Sequence, residues 1–243
     1  MTNPTAAMLV IGDEILSGRT RDSNTHYLAG LLTTRGIDLR EVRVVADDGP
    51  AIVAAVRALS SAYTHVFTSG GIGPTHDDIT ADAVARAFGV GIDIRDDARG
   101  ILMAFTKARG IEATQARLRM ARIPDGAALI DNPISAAPGF TLRNVHVCAG
   151  VPKIFEAMTA SVVAKLEGGT PLLNQTFRVV MPEGDIATPL ADLARSFPTL
   201  AIGSYPFHRD GVFGTNIVVR GSDGTAVSAA MVALAKLFPE ATA

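Results

Sequence analysis

The residues with the clearest chemical potential form one continuous segment, Ser69–Asp78, with the sequence SGGIGPTHDD. Glycines at 70, 71 and 73 carry no Cβ and permit positive φ, so successive backbone N–H groups can converge on phosphate oxygens. Asp77 and Asp78 would repel that phosphate, because like charges ~4 Å apart cost on the order of 4 kcal/mol at an effective dielectric of ~20. A divalent cation between carboxylate and phosphate removes the conflict. The segment therefore predicts metal-assisted phosphate chemistry.

A simpler interpretation is a glycine-rich turn between a strand and a helix, in which Asp78 or Thr75 only caps the helix predicted over 79–88. Three glycines, a proline, a threonine and two adjacent acids in one turn favour a binding site over a cap. Ser69, Pro74 and Thr75 are then part of the site. His76 lies inside the turn, where phosphate contact and simple surface exposure are equally good interpretations.

A parallel sheet is predicted to position this segment. Apolar strand patterns at 7–11, 40–46 and 64–68 alternate with helical patterns at 24–35, 51–62 and 79–88. This β-α-β-α-β-α order implies parallel strands joined by right-handed crossovers, with helices on both faces. Because the carboxyl ends of such strands meet at one edge, residues that follow each strand should share a crevice.

Polar residues follow each of these strands. Gly12 and Glu14 come after the first strand, and Asp47 comes after the second, so that carboxylates from separate loops meet. The sequence predicts a divalent cation held by Asp47, Asp77 and Asp78. The run 47–50 is also an ordinary cap and turn, and the segment 22–24, which contains Asn24, can cap the first helix or contact a ligand.

The second half of the chain continues the pattern and then changes it. The region 96–122 is predicted to be helical, and its Arg117, Arg119 and Arg122 are interpreted as a solvated face or as charge lent to a ligand or subunit contact. Short strands at 128–130, 140–142 and 145–148 precede a helix at 151–166. Gly150 and Pro152 lie where a strand ends and a helix begins, which adds them to the predicted crevice.

A domain boundary is predicted near Gly169. The segment 167–171, Glu-Gly-Gly-Thr-Pro, reads as a linker. It is followed by a strand (173–181), a helix (186–197), two strands (200–205 and 212–220) joined through the turn 209–211, and a helix (225–238). Residues 1–169 are therefore expected to form a three-layer α/β/α domain with a mainly parallel sheet, and residues 170–243 a small α+β domain.

Composition excludes several classes of function. Lys+Arg 22 against Asp+Glu 24 gives a net charge of −2, which predicts neither a nucleic-acid nor a membrane partner. The lone cysteine, Cys148, excludes an internal disulfide. The sequence contains no P-loop, no G-x-G-x-x-G after the first strand and no G-x-S-x-G motif. The first four residues form no cationic leader, so a cytoplasmic location is expected.

Several separated motifs together resemble one known family. The motifs are, in chain order, Ile11–Gly18, Asp22–Asn24, Asp47, Ser69–Thr80, Ala137–Phe140 and Gly150–Pro152. Together and in this order they resemble the molybdopterin-binding (MoaB/Mog-like) domain, most closely its CinA N-terminal subgroup. The segment 202–206 is similar to the small domain that follows in CinA-like proteins. The resemblance implies that a phosphorylated pterin or nucleotide lies at the glycine turn, and that the protein is a homo-oligomer.

The resemblance also assigns roles to individual residues. Asp78 matches the catalytic aspartate of the family motif, and Asp47 matches the acidic position after the second strand. Ile154 departs from the family pattern, which has an acid there, and Ser135 stands where glycine is common. Position and resemblance together give these ligand-binding residues: Gly12, Glu14, Asn24, Ser69, Gly70, Gly71, Gly73, Pro74, Thr75, His76, Pro138, Gly139, Gly150 and Pro152.

The expected function is pyrophosphate-bond chemistry that depends on Mg²⁺, Mn²⁺ or Co²⁺, like that of an ADP-ribose pyrophosphatase. Two alternatives remain open at this point. One is molybdopterin adenylylation in molybdenum cofactor biosynthesis, with molybdopterin as the ligand. The other is a non-catalytic carrier or sensor for the same phosphorylated ligand, which the missing acid at Ile154 favours.

Overall fold

The computed structural model describes residues 3–209 and 211–239. The chain divides into two compact units, residues 1–169 and 170–243. Met1 and Thr2, used above in the argument about a leader, and Asp210, at the centre of the predicted hairpin turn, lie outside the described residues.

The first unit alternates strands and helices along its length. In chain order it contains β1 (Thr5–Ile11), α1 (Asp13–Leu16), α2 (Asn24–Thr34), β2 (Asp38–Val45), α3 (Gly49–Ala62), β3 (His65–Ser69), α4 (Thr80–Phe88), β4 (Ile92–Ile94), α5 (Asp96–Ala108), α6 (Gln115–Leu118), a 3₁₀ turn (Arg119–Ala121), β5 (Arg122–Pro124), β6 (Ala128–Ile130), β7 (Gly139–Leu142), β8 (Val145–Cys148) and α7 (Pro152–Val163).

A six-stranded sheet forms the centre of this unit, in the order β2-β1-β3-β8-β7-β6. The first four strands of that order are parallel, and β7 and β6 run antiparallel to their neighbours. The predicted mainly parallel sheet is thus confirmed, with an antiparallel edge. Parallel neighbours require crossover helices, and these cover both faces of the sheet.

Alternation along β1 divides the core into two layers. Leu9 packs with side chains of α3 and α4 on one face of the sheet. Met8, its neighbour in sequence, points to the other face and packs with side chains of α2 and α7. Successive residues of a strand point to opposite faces, so a strand buried on both faces has an unbroken apolar sequence. That apolar run is the pattern that predicted β1. The three-layer α/β/α architecture is confirmed.

The helical prediction for 96–122 is only partly correct. The chain leaves helix α5 after Ala108, and a short second helix begins where the Thr114 hydroxyl accepts the N–H of Arg117 at 3.4 Å. Residues 122–124 then form β5, which pairs with β4 in a small antiparallel sheet. The predicted helix ran to Arg122, the first residue of β5, so this sheet was not predicted.

The second unit contains β9 (Leu173–Val179), α8 (Glu183–Ser196), β10 (Ala201–Arg209), β11 (Val212–Gly221) and α9 (Gly224–Leu237). Its antiparallel sheet has the order β10-β11-β9, which confirms the predicted pairing of β10 with β11. Ile217 and Val219 of the central strand pack with side chains of both helices. None of the helices in the described ranges of either unit is long and apolar enough to cross a membrane.

Buried His146 of β8 gives the first unit a predictable pH dependence. Its Nδ1 lies 3.0 Å from the Thr141 hydroxyl and its Nε2 lies 3.3 Å from Nδ1 of His65. Burial lowers the pKa of His146 to about 3, with a smaller contribution from His65. The unfolded chain binds a proton at this residue below pH ~6.5, whereas the folded chain stays neutral until far lower pH.

We therefore expect the free energy of unfolding to rise with pH between about pH 3 and ~6.5 and to level off above that window. The slope from this residue approaches ~1.4 kcal/mol per pH unit within the window. Urea unfolding of wild type and His146→Gln between about pH 5 and 6.5 measures it, because His146→Gln should remove this slope. Equal slopes for the two proteins would show that His146 accepts a proton in the folded state.

Candidate functional site

The predicted crevice lies at the carboxyl ends of β1 and β3. Because β2 and β3 lie on opposite sides of β1, the crossover direction changes there, and open α/β sheets bind ligands at such switch points. A cleft of about 520 Å³ opens at this place, which is within the usual range for small-ligand sites. Its walls include ten predicted site residues: Gly12, Glu14, Asp47, Gly70, Gly71, Gly73, Asp77, Asp78, Gly150 and Pro152.

The glycine turn forms the floor of this cleft, and two of its glycines have steric reasons to be glycine. Gly70 has a φ of +107°, and a Cβ there would lie 2.2 Å from the Ile11 carbonyl oxygen. Gly71 has a φ of +68°, and a Cβ there would lie 2.1 Å from Oγ1 of Thr80. The expectation of positive φ at Gly73 is wrong. That residue is glycine for space, since the Asp78 carboxylate lies 2.6 Å from the position of its missing Cβ.

The turn presents consecutive backbone donors to the cleft. The N–H of Gly70 donates to the Cys148 carbonyl oxygen at 3.3 Å. The next three N–H groups, those of Gly71, Ile72 and Gly73, have no acceptor among the residues that the structure describes. Successive N–H groups around a positive-φ glycine form a concave anion-binding surface. Phosphate binding by these groups stays a prediction.

Asp78 stabilises the glycine turn through hydrogen bonds to another residue of the same turn. Its Oδ2 accepts the N–H of Thr75 at 2.8 Å and the Thr75 hydroxyl at 2.5 Å. Helix α4 begins at Thr80, and its N-cap residue Ile79 makes no side-chain cap, so the simple capping role weighed for Asp78 and Thr75 is not what the structure shows. Asp78 combines a structural task in the turn with a place in the cleft wall.

Asp47 reaches the same cleft from the end of β2. Its Oδ2 accepts the N–H of Asp13 at 3.0 Å. Burial raises the pKa of Asp47, and the nearby carboxylates of Asp13, Glu14 and Asp77 raise it further against that hydrogen bond. Asp48, its neighbour, caps α3 by accepting the N–H of Ala51 at 2.9 Å. The two adjacent acids therefore have different tasks, and only Asp47 lines the cleft.

A preassembled metal centre is not present in the described ranges. No group of three or more His, Cys, Asp or Glu side chains there is close enough to hold a metal ion. Asp47, Asp77 and Asp78 nevertheless line one cleft and offer only carboxylate oxygens, the donors that hard cations prefer. Mg²⁺ is commonly bound by one or two carboxylates together with the phosphates of a ligand. The residues fit a cation that shares its ligand shell with a bound phosphate.

Asn24 ties the end of β3 to the loop before α7. Its Nδ2 donates to Oγ of Ser69 and to the carbonyl oxygen of Gly150, both at 2.8 Å. Asp22 accepts the N–H of Asn24 at 3.0 Å, so capping of α2 falls to Asp22. The buried Oδ1 of Asn24 has no hydrogen-bond partner in the described structure, and Asn24 lines a smaller pocket with Glu14 and Pro152.

Removal of this clamp is expected to destabilise the first unit. Asn24→Ala leaves the buried Ser69 hydroxyl and the Gly150 carbonyl without their donor, which costs roughly 1–3 kcal/mol. Asn24→Asp, of equal shape, should also cost stability, because it turns a carboxylate oxygen towards the Gly150 carbonyl oxygen, which can only accept. Urea unfolding measures both, with Ser23→Ala as the matched control because Ser23 makes no capping bond. A similar loss in all three variants would contradict the clamp.

Asn132, which sequence reasoning missed, also lines the cleft together with Ser135. Asn132 is buried, and its Nδ2 donates to the Ser135 hydroxyl at 2.7 Å and to the Ala137 carbonyl at 2.8 Å. Between them, Ala136 adopts a φ of +60°, which is uncommon for a residue with a side chain. An Asn three residues before Ser and followed by Pro is a turn signal that could have indicated this loop. Ile154 also lines the cleft, so an apolar side chain stands in the cleft wall where the family pattern has an acid.

Two arginines lie beside the glycine turn. Arg119 donates from Nη2 to the Asp78 carbonyl oxygen at 3.5 Å, and Arg122 pairs with Asp82. Both line a small pocket with Gly71, Gly73 and Pro138. Of the two interpretations of this arginine segment, lending charge near the ligand site is the one that the placement favours.

Four predicted residues do not line the cleft or the two smaller pockets beside it. They are Pro74, Thr75, His76 and Gly139. The His76 side chain is fully exposed. Gly139 is buried in β7, where a Cβ would lie 2.2 Å from the Val147 carbonyl oxygen, so its smallness serves strand packing.

Comparison with known proteins agrees with this architecture. Residues 7–171 match the family described as a probable molybdopterin binding domain. The chain belongs to the molybdopterin-binding domain family. Residues 171–243 match the middle domain of FAD synthase, which the sequence analysis did not anticipate.

Individual relatives extend the assignment of the molybdopterin-binding domain. A protein of Aeropyrum pernix is 35% identical over 84% of this chain and 80% of its own length. A probable FAD synthase of Caenorhabditis elegans is 34% identical over 96% of this chain and 50% of its own length. The chain thus spans about half of the Caenorhabditis relatives. The crystal structure of the protein CinA, of unknown function, from Thermoplasma acidophilum has a TM-score of 0.59 and 35% identity, and covers 65% of this chain and 96% of its own. The resemblance to MoaB/Mog-like and CinA proteins is confirmed.

Proposed function

We propose that the cleft binds a phosphorylated nucleotide or pterin through the glycine turn and that divalent-metal-dependent chemistry on its pyrophosphate bond takes place there. One observation carries this proposal. Gly71, Ile72 and Gly73, whose N–H groups have no acceptor in the described structure, line the cleft together with carboxylate residues from separate loops. Backbone N–H donors by themselves suit an anion such as phosphate. Because carboxylates lie beside them here, the site suits a phosphate that binds together with a cation.

In this proposal each residue has a defined task. The N–H groups of the turn hold a phosphate, and Asp78 keeps them in place through Thr75. Arg119 and Arg122 add positive charge beside the turn. Asp47 and Asp78, assisted by Asp77, are the residues that would hold the cation. When bound, that cation would neutralise the charge that develops on the phosphate oxygens as the P–O–P bond breaks or exchanges.

The ligand beyond its phosphates is proposed from the cleft and the relatives together. Apolar side chains such as Ile72 and Ile154 line the cleft and can pack against a ring system. The Oδ1 of Asn24 is a buried acceptor that a ligand hydroxyl or amine would satisfy. FAD and ADP-ribose both contain a pyrophosphate bridge, so both are suitable probes for a domain whose relatives include probable FAD synthases.

The test is turnover of ADP-ribose, of FAD and of ATP together with molybdopterin, each with and without Mg²⁺, Mn²⁺ or Co²⁺. We expect product only with metal present, and loss of product on chelation. Ligand-induced thermal stabilisation without product for any compound or metal would instead establish a carrier. Ile154, an apolar residue in the cleft wall at the position of a family acid, is the observation that favours this second candidate.

A further inference from the structure

The second unit has an open sheet face that the cleft chemistry does not use. The helices α8 and α9 pack on one face of the sheet, against the alternate residues that include Ile217 and Val219. The intervening residues of the three strands point to the other face. The strand register places on that face Asn174, Thr176 and Arg178 of β9, Ala201, Gly203, Tyr205 and Phe207 of β10, and Gly214, Asn216, Val218 and Arg220 of β11.

Two aromatic side chains of this face, Phe207 and Tyr205, lie close to glycines. A Cβ on Gly214 would lie 2.5 Å from the ring of Phe207, its partner across the strands. A Cβ on Gly203 would lie 3.5 Å from the ring of Tyr205. Tyr205 is 56% exposed, a large fraction for an aromatic side chain. The Tyr205 ring is therefore open to solvent, whereas the Phe207 ring is partly buried.

Arginine is the charged residue of this face. The guanidinium of Arg178 stacks over Phe207 at 4.0 Å from the ring centroid, which extends the planar surface. Arg220 lies opposite Asn174 of β9, which is four residues from Arg178 along that strand. At ~3.3 Å per residue, Arg220 and Arg178 are about 13 Å apart along the strand direction. No Asp or Glu occurs among the strand residues of this face in the described ranges.

We propose that this face binds single-stranded nucleic acid. The exposed Tyr205 ring and the guanidinium stacked on Phe207 accept unpaired bases, and the arginines of this face neutralise phosphates. A single phosphate cannot bridge arginines about 13 Å apart, whereas a chain of nucleotides can. A second copy of the same face would set arginine against arginine, and an acidic peptide would leave the rings unused. The net charge of −2, which predicted no nucleic-acid partner, is a sum over both units and conceals this local surface.

Fluorescence anisotropy of the full chain with a labelled single strand of roughly 12 nucleotides tests the proposal. We expect a Kd of ~10⁻⁴–10⁻⁶ M at physiological salt and a logarithmic salt dependence of ~0.7 per phosphate contacted. Tyr205→Ala should weaken binding roughly 5-fold to 100-fold. Arg220→Ala should make the salt dependence shallower by ~0.7.

Matched controls come from the same unit. Phe213 is 65% exposed and lies on the helix-covered side of the register, so Phe213→Ala should bind as wild type. Arg195 lies on α8 in an ion pair with Asp192, so Arg195→Ala should leave the salt dependence unchanged. Asp78→Asn, in the cleft of the other unit, should also bind normally, which separates this inference from the proposed function.

Three results would overturn the proposal. They are the absence of binding at roughly 10⁻⁴ M protein, equal weakening by Tyr205→Ala and Phe213→Ala, and equal competition by polyglutamate and by the unlabelled strand. Thermal unfolding of each variant should match wild type, because all four side chains lie on the surface of the second unit.

Discussion

Gly71→Ala is expected to lower the free energy of unfolding of the first unit by roughly 3 kcal/mol or more and to abolish ligand binding in the cleft. At a φ of +68° a Cβ is strained by itself, at ~1–3 kcal/mol. The added atom would also lie 2.1 Å from Oγ1 of the fully buried Thr80, whose hydroxyl donates to the Gly70 carbonyl oxygen. The turn must deform to accept it. Thermal unfolding and ligand titration measure the two effects.

Gly18→Ala separates strain from crowding. Gly18 has a φ of +73°, nearly the same as Gly71, but nothing lies within 4 Å of the position of its missing Cβ. We therefore expect only the conformational cost, ~1–2 kcal/mol, and unchanged ligand binding. Equal losses of stability and binding in the two variants would show that the contact with Thr80 does not hold the turn.

Asp78→Asn is expected to reduce metal-dependent turnover by about 10²-fold to 10³-fold. The amide oxygen of asparagine can still accept the N–H and hydroxyl of Thr75, so the shape of the turn is retained. The charge that would hold a cation against the ligand phosphate is lost. Steady-state kinetics with ADP-ribose and Mg²⁺ measure the change, and circular dichroism checks that the fold is retained.

Asp48→Asn is the matched control, because it removes one negative charge from the loop next to the cleft. Asp48 caps α3, and asparagine caps a helix about as well as aspartate. Turnover and stability should both stay near wild type. Full turnover by Asp78→Asn, or an equal loss in Asp48→Asn, would remove Asp78 from the proposed metal site.

The parts of the fold that could be predicted are those that local pattern determines. The apolar run of β1 and the 3.6-residue periods of α2 and α3 are visible within a few residues, and their order implies the parallel sheet. That sheet then predicts that Asp47, from one loop, and the glycine turn, from another, share a cleft. Ten of the predicted site residues meet there for this reason.

The parts that could not be predicted depend on partners distant in sequence. Asn24 is placed by Gly150, which is 126 residues away. The same holds for Arg122 of β5, whose partner Asp82 lies on helix α4, and for the pairing of β4 with β5. No local pattern encodes which distant backbone atom a side chain will meet. Homo-oligomerisation, a cytoplasmic location and the identity of the cation stay predictions.

The most direct test is a crystal structure with Mn²⁺ and the methylene analogue of ADP-ribose, whose P–C–P bridge resists cleavage. We predict phosphate oxygens at ~2.7–3.2 Å from the backbone nitrogens of Gly71, Ile72 and Gly73. An anomalous-difference peak should place Mn²⁺ between that phosphate and the carboxylate of Asp47 or Asp78. A bound analogue that leaves the glycine turn untouched, or a phosphate on the turn with no cation beside these carboxylates, would contradict the account.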